Sequence, residues 1–575
     1  MSGHGLADLW NGLADELGDL PSVSCGDRVR TWREIDERAS RFAGHLLSTG
    51  LVPGDRVAVG LRNSVEHIEV LFALFKAGLA PVNLNVRYRA AELHHLLVDS
   101  AARGIVVGSS VIPAAVEAAE GTPATMARVA VPDGDREKAA VAGFTGYESA
   151  LAAATPLPRE RRSADDQMIL YTGGTTGKPK GALWRQGEIM GIAAGEYRRR
   201  GYEPPETLAD ALRIAVEVGR SGTRPTVIPA SPLMHGTGLF AALGGLAIGG
   251  AVALLPGASF SARELWETVV RYRVTDIVIS GDVLSALMLK ELDRAAEHGT
   301  PYDLSSLRVI RSAGMRWSAG NKRALLAHAD VQLVDVIAST EGGPYGVVTT
   351  IRGDDPRTSR FLLAPGARVI NEDGRDVVPG SGEVGLLAAP GRMPIGYLGD
   401  PVTSAHTFRV LDGVRYAVPG DRALLDLDGT LTLLGRASSV INSGGEKIHA
   451  EEVEEVLILH PAVADAVVVG VPHPRWGQTP NAIVVLKEGA AVSEEDLIEH
   501  VRAHLAGYKK PSRVLFAAEI VRTPAGKADR RWAGQYASGA GQDDPATGGD
   551  ATAGQPAQRL PVPDTLPAGR QAPRD

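Results

Sequence analysis

The sequence predicts an α/β protein in which parallel strands alternate with helices, followed by a β-rich region and a small α+β domain. Through the first 350 residues, short apolar runs of strand character alternate with longer helical patterns, which is typical of parallel α/β layers. From about residue 360 short strands are separated by Gly, Pro and Asp, as at Asp373-Gly374, and this favours antiparallel hairpins. A chain of 575 residues is too long for one hydrophobic core, so we expect several domains.

The first predicted strand with a clear helix after it is Arg56–Leu61. Ser64 is placed to cap the helix, because a serine hydroxyl accepts hydrogen bonds from the free amides of a first turn. One face of this helix is apolar, with Ile68, Leu71, Phe72 and Phe75. Further buried strands are predicted at 104–108, 276–280 and 307–311.

The changes in pattern predict four units along the chain. We expect a large domain over 1–435, with its β-rich subdomain at about 360–435, and a hinge at 436–440. A small mobile α+β domain is predicted over 441–537, with helices around Glu451–Leu459 and Ser493–Leu505 and a strand at Ala464–Val471. Residues 538–575 have few large apolar side chains, so we expect a disordered tail without chemistry.

Composition excludes several classes of function. The net charge is −8, from 60 basic and 68 acidic residues that are well interspersed, so nucleic acid is not an expected partner. The single cysteine, Cys25, excludes a disulfide framework and a thiolate metal cluster. Met1–Gly18 has acidic residues where a signal peptide would be basic, and we expect a cytoplasmic protein.

One uncharged stretch, Gly236–Ala262, has the length of a membrane span. Its glycines, the break at Pro256 and the missing basic or aromatic flanks favour a buried helix followed by a buried strand at Ala251–Leu255. We therefore predict no membrane span.

The most informative segment is Tyr171–Gly181, a glycine and threonine loop with two lysines that directly follows an apolar run. Glycines let successive amides face an anion, hydroxyls add donors, and lysines add positive charge. The predicted phosphate contacts are Thr172, Gly173, Gly174, Thr175, Thr176, Gly177, Lys178 and Lys180. Pro179 stands where a Walker A loop needs Ser or Thr, so a P-loop NTPase is excluded.

Further motifs follow this loop in a fixed order. They are Pro232-Leu-Met-His-Gly236, Ser339-Thr-Glu-Gly342, Gly420-Asp421, Gly435-Arg436 with Ser443-Gly-Gly445, and Pro524-Ala-Gly-Lys527. With them the chain resembles, over roughly residues 10–535, the adenylate-forming superfamily of acyl-CoA synthetases, luciferases and peptide-synthetase adenylation domains. Trp184-Arg-Gln186, Ser438 and Ser443–Ile448 look like the branch of actinobacterial fatty-acyl and steroid side-chain acyl-CoA ligases.

The resemblance implies a reaction in two steps. A carboxylate attacks the α-phosphate of ATP, giving an acyl-adenylate and pyrophosphate, and the acyl group then passes to CoA with release of AMP. Mg²⁺ and the loop lysines would stabilise the charge that develops on the leaving pyrophosphate.

The resemblance also assigns roles to single residues. Glu341 matches the magnesium-binding glutamate, and Asp421 matches the aspartate that accepts both ribose hydroxyls. Arg436 resembles a nucleotide contact at the domain boundary. Lys527 matches the lysine that reaches the α-phosphate and the carboxylate during adenylation, and His235 matches the mouth of the acyl pocket. Thr176 is the loop threonine expected to act with Glu341, His235 and Lys527 in the reaction.

The adenine pocket and the CoA tunnel complete the predicted site. The resemblance places Ser312, Ala313, Gly314, Ile337, Ser339 and Thr340 around the nucleotide, and Gly444 and Gly445 at the pantetheine tunnel. Ile337 stands where relatives usually have an aromatic residue that stacks on adenine, so an aliphatic side chain would cover the ring here. Ser438 stands where many relatives have an acidic hinge residue, and a serine is compatible with rotation of the small domain.

One dinucleotide-like pattern, Gly380–Gly385, is interpreted as a turn, because it leads into a strand instead of a helix.

The nature of the two substrates stays open at this stage. The expected substrate is a bulky, lipid-like or aryl carboxylic acid, with CoA as acceptor. One alternative is a diazotase that uses ATP to activate nitrite for an aromatic amine; another loads the acyl group onto a carrier protein. A pseudoenzyme is disfavoured because Lys180, Glu341, Asp421, Arg436 and Lys527 are all present. The sequence does not determine the oligomeric state, and a homodimer stays open.

Overall fold

The structure is a computed structural model with a mixed α/β fold, which confirms the predicted fold class. It describes residues 3–88, 90–120, 127–133, 143–172, 179–436, 440–443, 446–473, 476–505, 507–523 and 526–539. Predictions for 173–178, 437–439, 444–445 and 540–575 lie outside these ranges. Residues 538 and 539, predicted to begin a disordered tail, are instead the end of the last helix, Arg530–Gly539.

An eight-stranded sheet forms the first layer among the described residues. In spatial order its strands are β19 (Gly396–Tyr397), β9 (Lys180–Arg185), β8 (Gln167–Thr172), β4 (Ala80–Asn83), β3 (Arg56–Gly60), β5 (Gly104–Gly108), β6 (Ala127–Val131) and β7 (Thr145–Gly146). From β8 to β7 neighbours are parallel, whereas β9 and β19 are antiparallel to the strands they pair with. The residues predicted to form the phosphate loop connect β8 to β9 in the sequence.

A second sheet has fifteen strands in the described part of the chain. Its parallel part consists of β1 (Pro21–Cys25), β11 (Ala251–Leu254), β10 (Thr226–Pro229), β12 (Asp276–Ile279), β13 (Val309–Ala313) and β14 (Gln332–Ser339). β2 (Arg28–Thr31) pairs antiparallel with β1 at the outer edge. The sheet therefore extends the α/β pattern predicted for the first 350 residues.

Beyond β14 the same sheet becomes antiparallel, as predicted for the β-rich region. These strands are β15 (Gly342–Thr350), β16 (Arg360–Leu363), β17 (Arg368–Ile370), β18 (Val384–Pro390), β20 (Phe408–Leu411), β21 (Val414–Ala417), β22 (Asp421–Leu425) and β23 (Thr430–Arg436). Their core contains Ile337, Tyr345 and Phe361. The change from parallel to antiparallel pairing thus takes place at the β14–β15 turn, which contains Glu341.

Helices connect and cover these strands. They are α1 (Leu6–Glu16), α2 (Trp32–Ser48), α3 (Val65–Ala77), α4 (Ala90–Ser100), α5 (Ile112–Ala118), α6 (Tyr147–Ala153), α7 (Gln186–Ile192), α8 (Ala194–Arg199), α9 (Leu208–Arg220), α10 (Gly236–Ala247), α11 (Ala262–Tyr272), α12 (Gly281–Glu297), α13 (Ala319–His328) and α14 (Pro401–Thr407). Ser64 caps α3 as predicted, because its side chain accepts a hydrogen bond from the His67 amide.

The C-terminal region has its own sheet and core. Its strands are β24 (Val440–Ser443), β25 (Glu446–His449), β26 (Val463–His473), β27 (Gly477–Leu486) and β28 (Arg513–Phe516); its helices are α15 (Ala450–Leu459), α16 (Glu494–His504), a short 3₁₀ helix (Gly507–Lys509) and α17 (Arg530–Gly539). The two helices and the strand predicted here are present, each within two residues of its predicted ends.

The uncharged stretch is α10 followed by β11, so the prediction of a buried helix and strand is correct. Among the described residues, none of the helices combines the length and the apolar character that crossing a bilayer requires.

Candidate active site

The chain just before the predicted phosphate loop is held close to the start of α10. Asn83, at the end of β4, accepts a hydrogen bond from the Tyr171 amide at 2.6 Å and donates one to the Met234 carbonyl at 2.7 Å. Tyr171 is followed by the loop, and Met234 is followed by His235 and α10. One asparagine therefore joins the end of β8 to the predicted mouth of the acyl pocket.

Lys180 begins β9, directly after the loop. Its Nζ donates to Asp400 Oδ2 and to Thr403 Oγ1, both at 2.9 Å. Hydrogen bonds from Thr403, and then from Lys180, lower the pKa of Asp400 to about 2, so Asp400 is ionised at neutral pH. The ring of Tyr397 lies 5.8 Å from the same Nζ. A phosphate group that binds Lys180 would have to share it with Asp400.

Glu341 lies in the turn between β14 and β15, where it is 7% exposed. Its Oε1 accepts a hydrogen bond of 2.7 Å from the Tyr397 hydroxyl, and its amide donates to Ser339 Oγ at 3.2 Å. Tyr397 thus contacts both Glu341 and Lys180. In the described ranges, neither a lysine nor an arginine forms an ion pair with Glu341.

Tyr397, Asp400 and Asn83 were missed by sequence reasoning. Asp400 is followed by Pro401, and an Asp before Pro is a sequence signal for the start of a helix; Asp400 does cap α14. Nothing in the sequence links Tyr397 to Glu341, which is 56 positions earlier. That contact exists only because β19 pairs with β9 next to the β14–β15 turn.

His235 immediately precedes α10 and is half-buried. Burial, and to a smaller degree the positive charge of Arg87, lowers the pKa of His235 to about 4. The imidazole is therefore neutral at pH 7. Its Nε2 is enclosed and has no hydrogen-bond partner in the part of the chain that the structure describes.

The predicted adenine wall meets the first turn of α10. A Cβ placed on Gly314 would lie 3.7 Å from Thr237 Oγ1, and one placed on Gly236 would lie 3.7 Å from Thr340 Oγ1. Gly314 has a φ of +81°, a conformation that favours glycine. The nucleotide side and the acyl side of the predicted site are therefore neighbours.

Ser312 and Ile337, both predicted to contact the nucleotide, have partners within the protein. Ser312 is fully buried, and its hydroxyl accepts a hydrogen bond from the Gly281 amide at 3.0 Å, which holds it to the start of α12. Ile337 is 8% exposed and packs with Tyr345 and Phe361 in the core of the β-rich region. Their predicted contacts with adenine stay predictions.

Asp421 and Arg436 are direct partners across the β22–β23 ladder. These two residues, predicted from separate motifs to contact the ribose and the nucleotide, are thus adjacent in the sheet. Gly435, next to Arg436, has a φ of +84°, and a Cβ there would lie 2.4 Å from the carboxyl carbon of Glu451. The positive φ favours glycine at this position, and a side chain there would also displace the Glu451 carboxylate of α15.

Lys527 is exposed on a tight turn of the C-terminal region. The Thr523 amide donates to the Lys527 carbonyl at 2.7 Å, which closes the turn. Six loop positions predicted to bind phosphate, including Thr176 and Lys178, lie at 173–178, and Gly444 and Gly445 also lie outside the described residues.

Comparison with known families gives two matches. The model of the AMP-binding enzymes matches residues 13–394, and the model of the AMP-binding enzyme C-terminal domain matches residues 452–527. The first match alone spans more than half of the chain.

Individual proteins show the same similarity. The chain is 36% identical over 532 residues to a 3-oxocholest-4-en-26-oate–CoA ligase of Rhodococcus rhodochrous, covering 92% of this chain and 95% of the relative. It is 36% identical over 554 residues to a medium/long-chain-fatty-acid–CoA/3-oxocholest-4-en-26-oate–CoA ligase of Mycobacterium tuberculosis H37Rv, covering 94% and 97%. A crystal structure of an anthranilate CoA ligase with anthranoyl-AMP has the same fold, with a TM-score of 0.78 and 23% identity over 93% of this chain and 98% of that one.

Proposed function

The chain belongs to the AMP-binding enzymes, and on this premise we propose that it is an ATP-dependent, AMP-forming carboxylate–CoA ligase for a bulky, lipid-like or aryl acid. The observation that carries the proposal is the contact of Tyr397 with both Glu341 and Lys180. This contact joins Glu341, a carboxylate suited to a metal, to Lys180, a cation suited to phosphate. It lies near the start of α10, where Thr237 meets Gly314.

In the first step a carboxylate oxygen of the substrate attacks the α-phosphorus, and the bond to the bridging oxygen breaks as pyrophosphate leaves. In the second step the CoA thiol attacks the acyl carbon, and AMP leaves. Loop amides, the loop threonines including Thr176, and Lys178 and Lys180 would bind the phosphates of ATP. Asp421 and Arg436 would bind the ribose side of the nucleotide.

Glu341 fits Mg²⁺, because magnesium prefers carboxylate oxygens and usually binds through one or two of them together with substrate phosphates. Among the described residues no group of three metal-binding side chains is present, which agrees with a site that substrate must complete. When bound, the ion would neutralise charge on the phosphates. Tyr397 would orient the Glu341 carboxylate for this contact.

A neutral His235 suits the reacting carboxylate. It can donate one hydrogen bond to that group without adding a positive charge that would weaken its attack. Its Nε2, which has no hydrogen-bond partner among the described residues, lies next to α10, and in the tautomer that carries its proton there it would be the donor. Buried polar atoms without partners are costly, and a substrate oxygen would remove this cost.

We place Lys527 and the pantetheine tunnel around Gly444–Gly445 on a small domain at 441–537 that turns on a hinge at 436–440. The first step takes place at the α-phosphorus and the second at the acyl carbon, so the two steps need different groups at one site, and such a rotation would supply them in sequence. The cytoplasm stays the predicted compartment, and a homodimer stays open.

The test is product analysis with purified protein. Fatty, steroid and aryl acids with ATP, Mg²⁺ and CoA should give AMP, pyrophosphate and acyl-CoA. Parallel reactions replace CoA by a carrier protein, or replace the acid by nitrite and an aromatic amine. ATP cleavage that requires nitrite and not CoA would replace this proposal with diazotisation, and no turnover on a broad panel would contradict it.

Lys527→Ala gives a second test, with Lys510→Ala as its control because Lys510 is also an exposed lysine of the C-terminal region. Acyl-adenylate formation should fall by about 100-fold or more in Lys527→Ala, since a positioned charge on the transition state is lost, while ATP binding persists. Equal activity of both variants would remove Lys527 from the mechanism.

A further inference from the structure

A group of charged side chains lies against α10, away from the residues described above. Glu196 of α8 forms ion pairs with Arg199, Arg200 and Arg311, and Asp276 is 3.5 Å from Arg311 Nη2 and 3.9 Å from Arg200 Nη2. We call these five residues the arginine cluster. Glu196 and Asp276 are buried, and the Arg311 side chain is 14% exposed.

The strand register puts the arginine cluster on the α10 side of the sheet. Arg311 of β13 is the direct neighbour of Val278 of β12, and Val278 packs with Ala241 of α10. Neighbouring residues in register point to the same face of a sheet. A Cβ placed on Gly244 would also lie 3.6 Å from Glu196 Cγ. The cluster is therefore beneath the second half of α10.

Two independent distances along the backbone give the depth of the arginine cluster below the predicted adenylate site. Gly314, which meets Thr237, is three residues after Arg311, which is about 10 Å along a strand. Gly244, which meets Glu196, is seven residues after Thr237, again about 10 Å along a helix. Both place the cluster about 10 Å below the level at which the nucleotide side and α10 meet.

The layer of side chains between these two levels is not fully buried. Ala313 and Val336, on the same face of the sheet, and Phe240 of α10 each keep part of their surface accessible, whereas the core residues around them are closed. An acyl group that enters beside His235 and follows this layer would end at Arg311.

Arg311 has hydrogen-bonding capacity that the described protein does not fill. Its Nη1 donates to Glu196, and its Nη2 lies 3.5 Å from Asp276 Oδ1 without forming a hydrogen bond, while its Nε has no hydrogen-bond partner among the described residues. Three guanidinium groups face two carboxylates, so one positive charge is in excess. Although burial by itself would raise it, the pKa of Glu196 is lowered to about 2 by the arginines, so its carboxylate is ionised.

We propose that Arg311 binds a second oxygen function of the acyl substrate, so that the preferred acid carries a ketone or carboxylate oxygen about 10 Å from the carboxyl group that is activated. This inference rests on the proposed ligase function. A carbonyl or carboxylate oxygen would accept from the unfilled Nε and Nη2 donors. A plain alkyl chain at the same place would leave them buried and unpaired.

Discrimination between acids follows from this difference in hydrogen bonding to Arg311. A site built to hydrogen-bond a substrate group rejects the analogue that lacks it much more strongly than an apolar pocket rejects an added group. Arg311 is thus expected to control which acid is used, while the groups around Glu341 carry out the chemistry on any acid that is bound.

The test compares three acids of equal chain length: a plain monocarboxylic acid, a keto acid with its oxygen near the far end, and the α,ω-dicarboxylic acid. For each acid, kcat/KM is measured by AMP release in the wild type, in Arg311→Met and in Arg200→Met. Arg200→Met is the matched control, since it removes another arginine bonded to Glu196 that lies directly after α8 and not on the pocket face of β13.

In the wild type the keto acid or the diacid should be used more efficiently than the plain acid. Arg311→Met should lower that preference by about 10-fold or more, mainly through KM, and Arg200→Met should leave it unchanged. Preference for the keto acid identifies a neutral acceptor, and preference for the diacid identifies a carboxylate that takes up the excess charge.

Three results would overturn the proposal. The first is a wild type that prefers the plain acid or shows no preference, which also decides the case if Arg311→Met fails to fold. The second is an equal preference in the wild type and Arg311→Met. The third is an equal loss in both arginine variants, which would reduce Arg311 to a structural role. Absence of AMP release with every acid would instead contradict the ligase function itself.

Discussion

Two buried ionic groups lie on opposite faces of the same parallel sheet, and they differ in how completely they are paired. On the face covered by α13, Lys322 and Asp335 form a one-to-one pair at 2.7 Å, with side chains 1% and 6% exposed. On the α10 face, the arginine cluster has three cations for two anions. Neighbouring residues of β13, Ser312 and Arg311, point toward the two different environments.

The paired group is complete within the protein. Lys322 Nζ also donates to the Arg357 carbonyl at 3.3 Å and lies 5.4 Å from the centre of the Trp317 ring. Among the described residues, Arg311 Nε has no hydrogen-bond partner, and Nη2 has only the ion pair with Asp276 at 3.5 Å. A buried charge whose partners all belong to the protein stabilises the fold. A buried charge with unfilled hydrogen-bond donors, next to residues that are not fully buried, indicates a ligand.

The largest expected effect is on stability and comes from Lys322→Met. It leaves Asp335 buried without a counter-charge, and losing one partner of a buried pair costs about 3–5 kcal/mol of unfolding free energy. Urea denaturation measures the loss. Arg323→Met, next in α13 but in an exposed pair with Asp355, should change stability by about 0.5 kcal/mol or less. Equal stability of the two variants would contradict the interpretation of Lys322 and Asp335 as a buried structural pair.

Arg311→Met should destabilise the protein less, by about 1–3 kcal/mol, because Glu196 keeps Arg199 and Arg200. The same denaturation experiment compares it with Lys322→Met. The two variants should also separate by function, since Lys322→Met leaves the preference among acids unchanged in whatever fraction stays folded. A greater loss of stability in Arg311→Met than in Lys322→Met would show that the arginine cluster is structural.

Tyr397→Phe extends the comparison to the edge of the eight-stranded sheet, where a hydrogen bond from β19 orients a carboxylate that the proposed chemistry uses. Losing the 2.7 Å bond to Glu341 should lower kcat/KM about fivefold, for about 1 kcal/mol, and raise the Mg²⁺ concentration needed for half activity. Tyr272→Phe is the control, because its hydroxyl donates to the Gly26 carbonyl at 2.6 Å in a structural contact. An unchanged Mg²⁺ requirement would argue against the positioning role.

The smallest expected effect is a pH dependence of stability that comes from His235, next to α10. His235 has a pKa lowered to about 4, so between about pH 6.5 and pH 4 the unfolded chain holds a proton that the folded one does not. Stability therefore falls as the pH falls through this window. From about pH 7.5 to about pH 5.5 the wild type should lose about 1 kcal/mol more than His235→Asn.

His67, whose pKa burial also lowers to about 4, remains in both proteins, so its contribution cancels in the difference. Parallel pH curves for the wild type and His235→Asn would show that His235 is not held neutral by the fold.

Local patterns explain why much of the fold was predictable. The Ser64 cap, the apolar face of α3 and the buried run of β11 are encoded within a few residues of one another. The turn residues after position 360 likewise predict antiparallel strands. Such features depend on backbone geometry and burial, and these act over short distances along the chain.

The site was predictable where one short motif carries a role. The ordered motifs name Lys180, Glu341, Asp421 and Lys527 without a structure, and the register of β22 and β23 then makes Asp421 and Arg436 direct partners. The roles of these residues remain proposals. The predicted tail began two residues too early, because α17 continues to Gly539 on apolar contacts of Ala533 and Ala537 with the C-terminal sheet.

The sequence by itself determined the family and predicted the order of the domains and the type of reaction, because those are written in contiguous motifs. Only the tertiary structure decided which side chains share a space: Tyr397 with Glu341, Asn83 with Met234, and Arg311 with Glu196, 115 positions apart. Strand order and register set these contacts. Whether a buried charge has all its partners is likewise a property of packing, so the pocket's selectivity is decided in three dimensions.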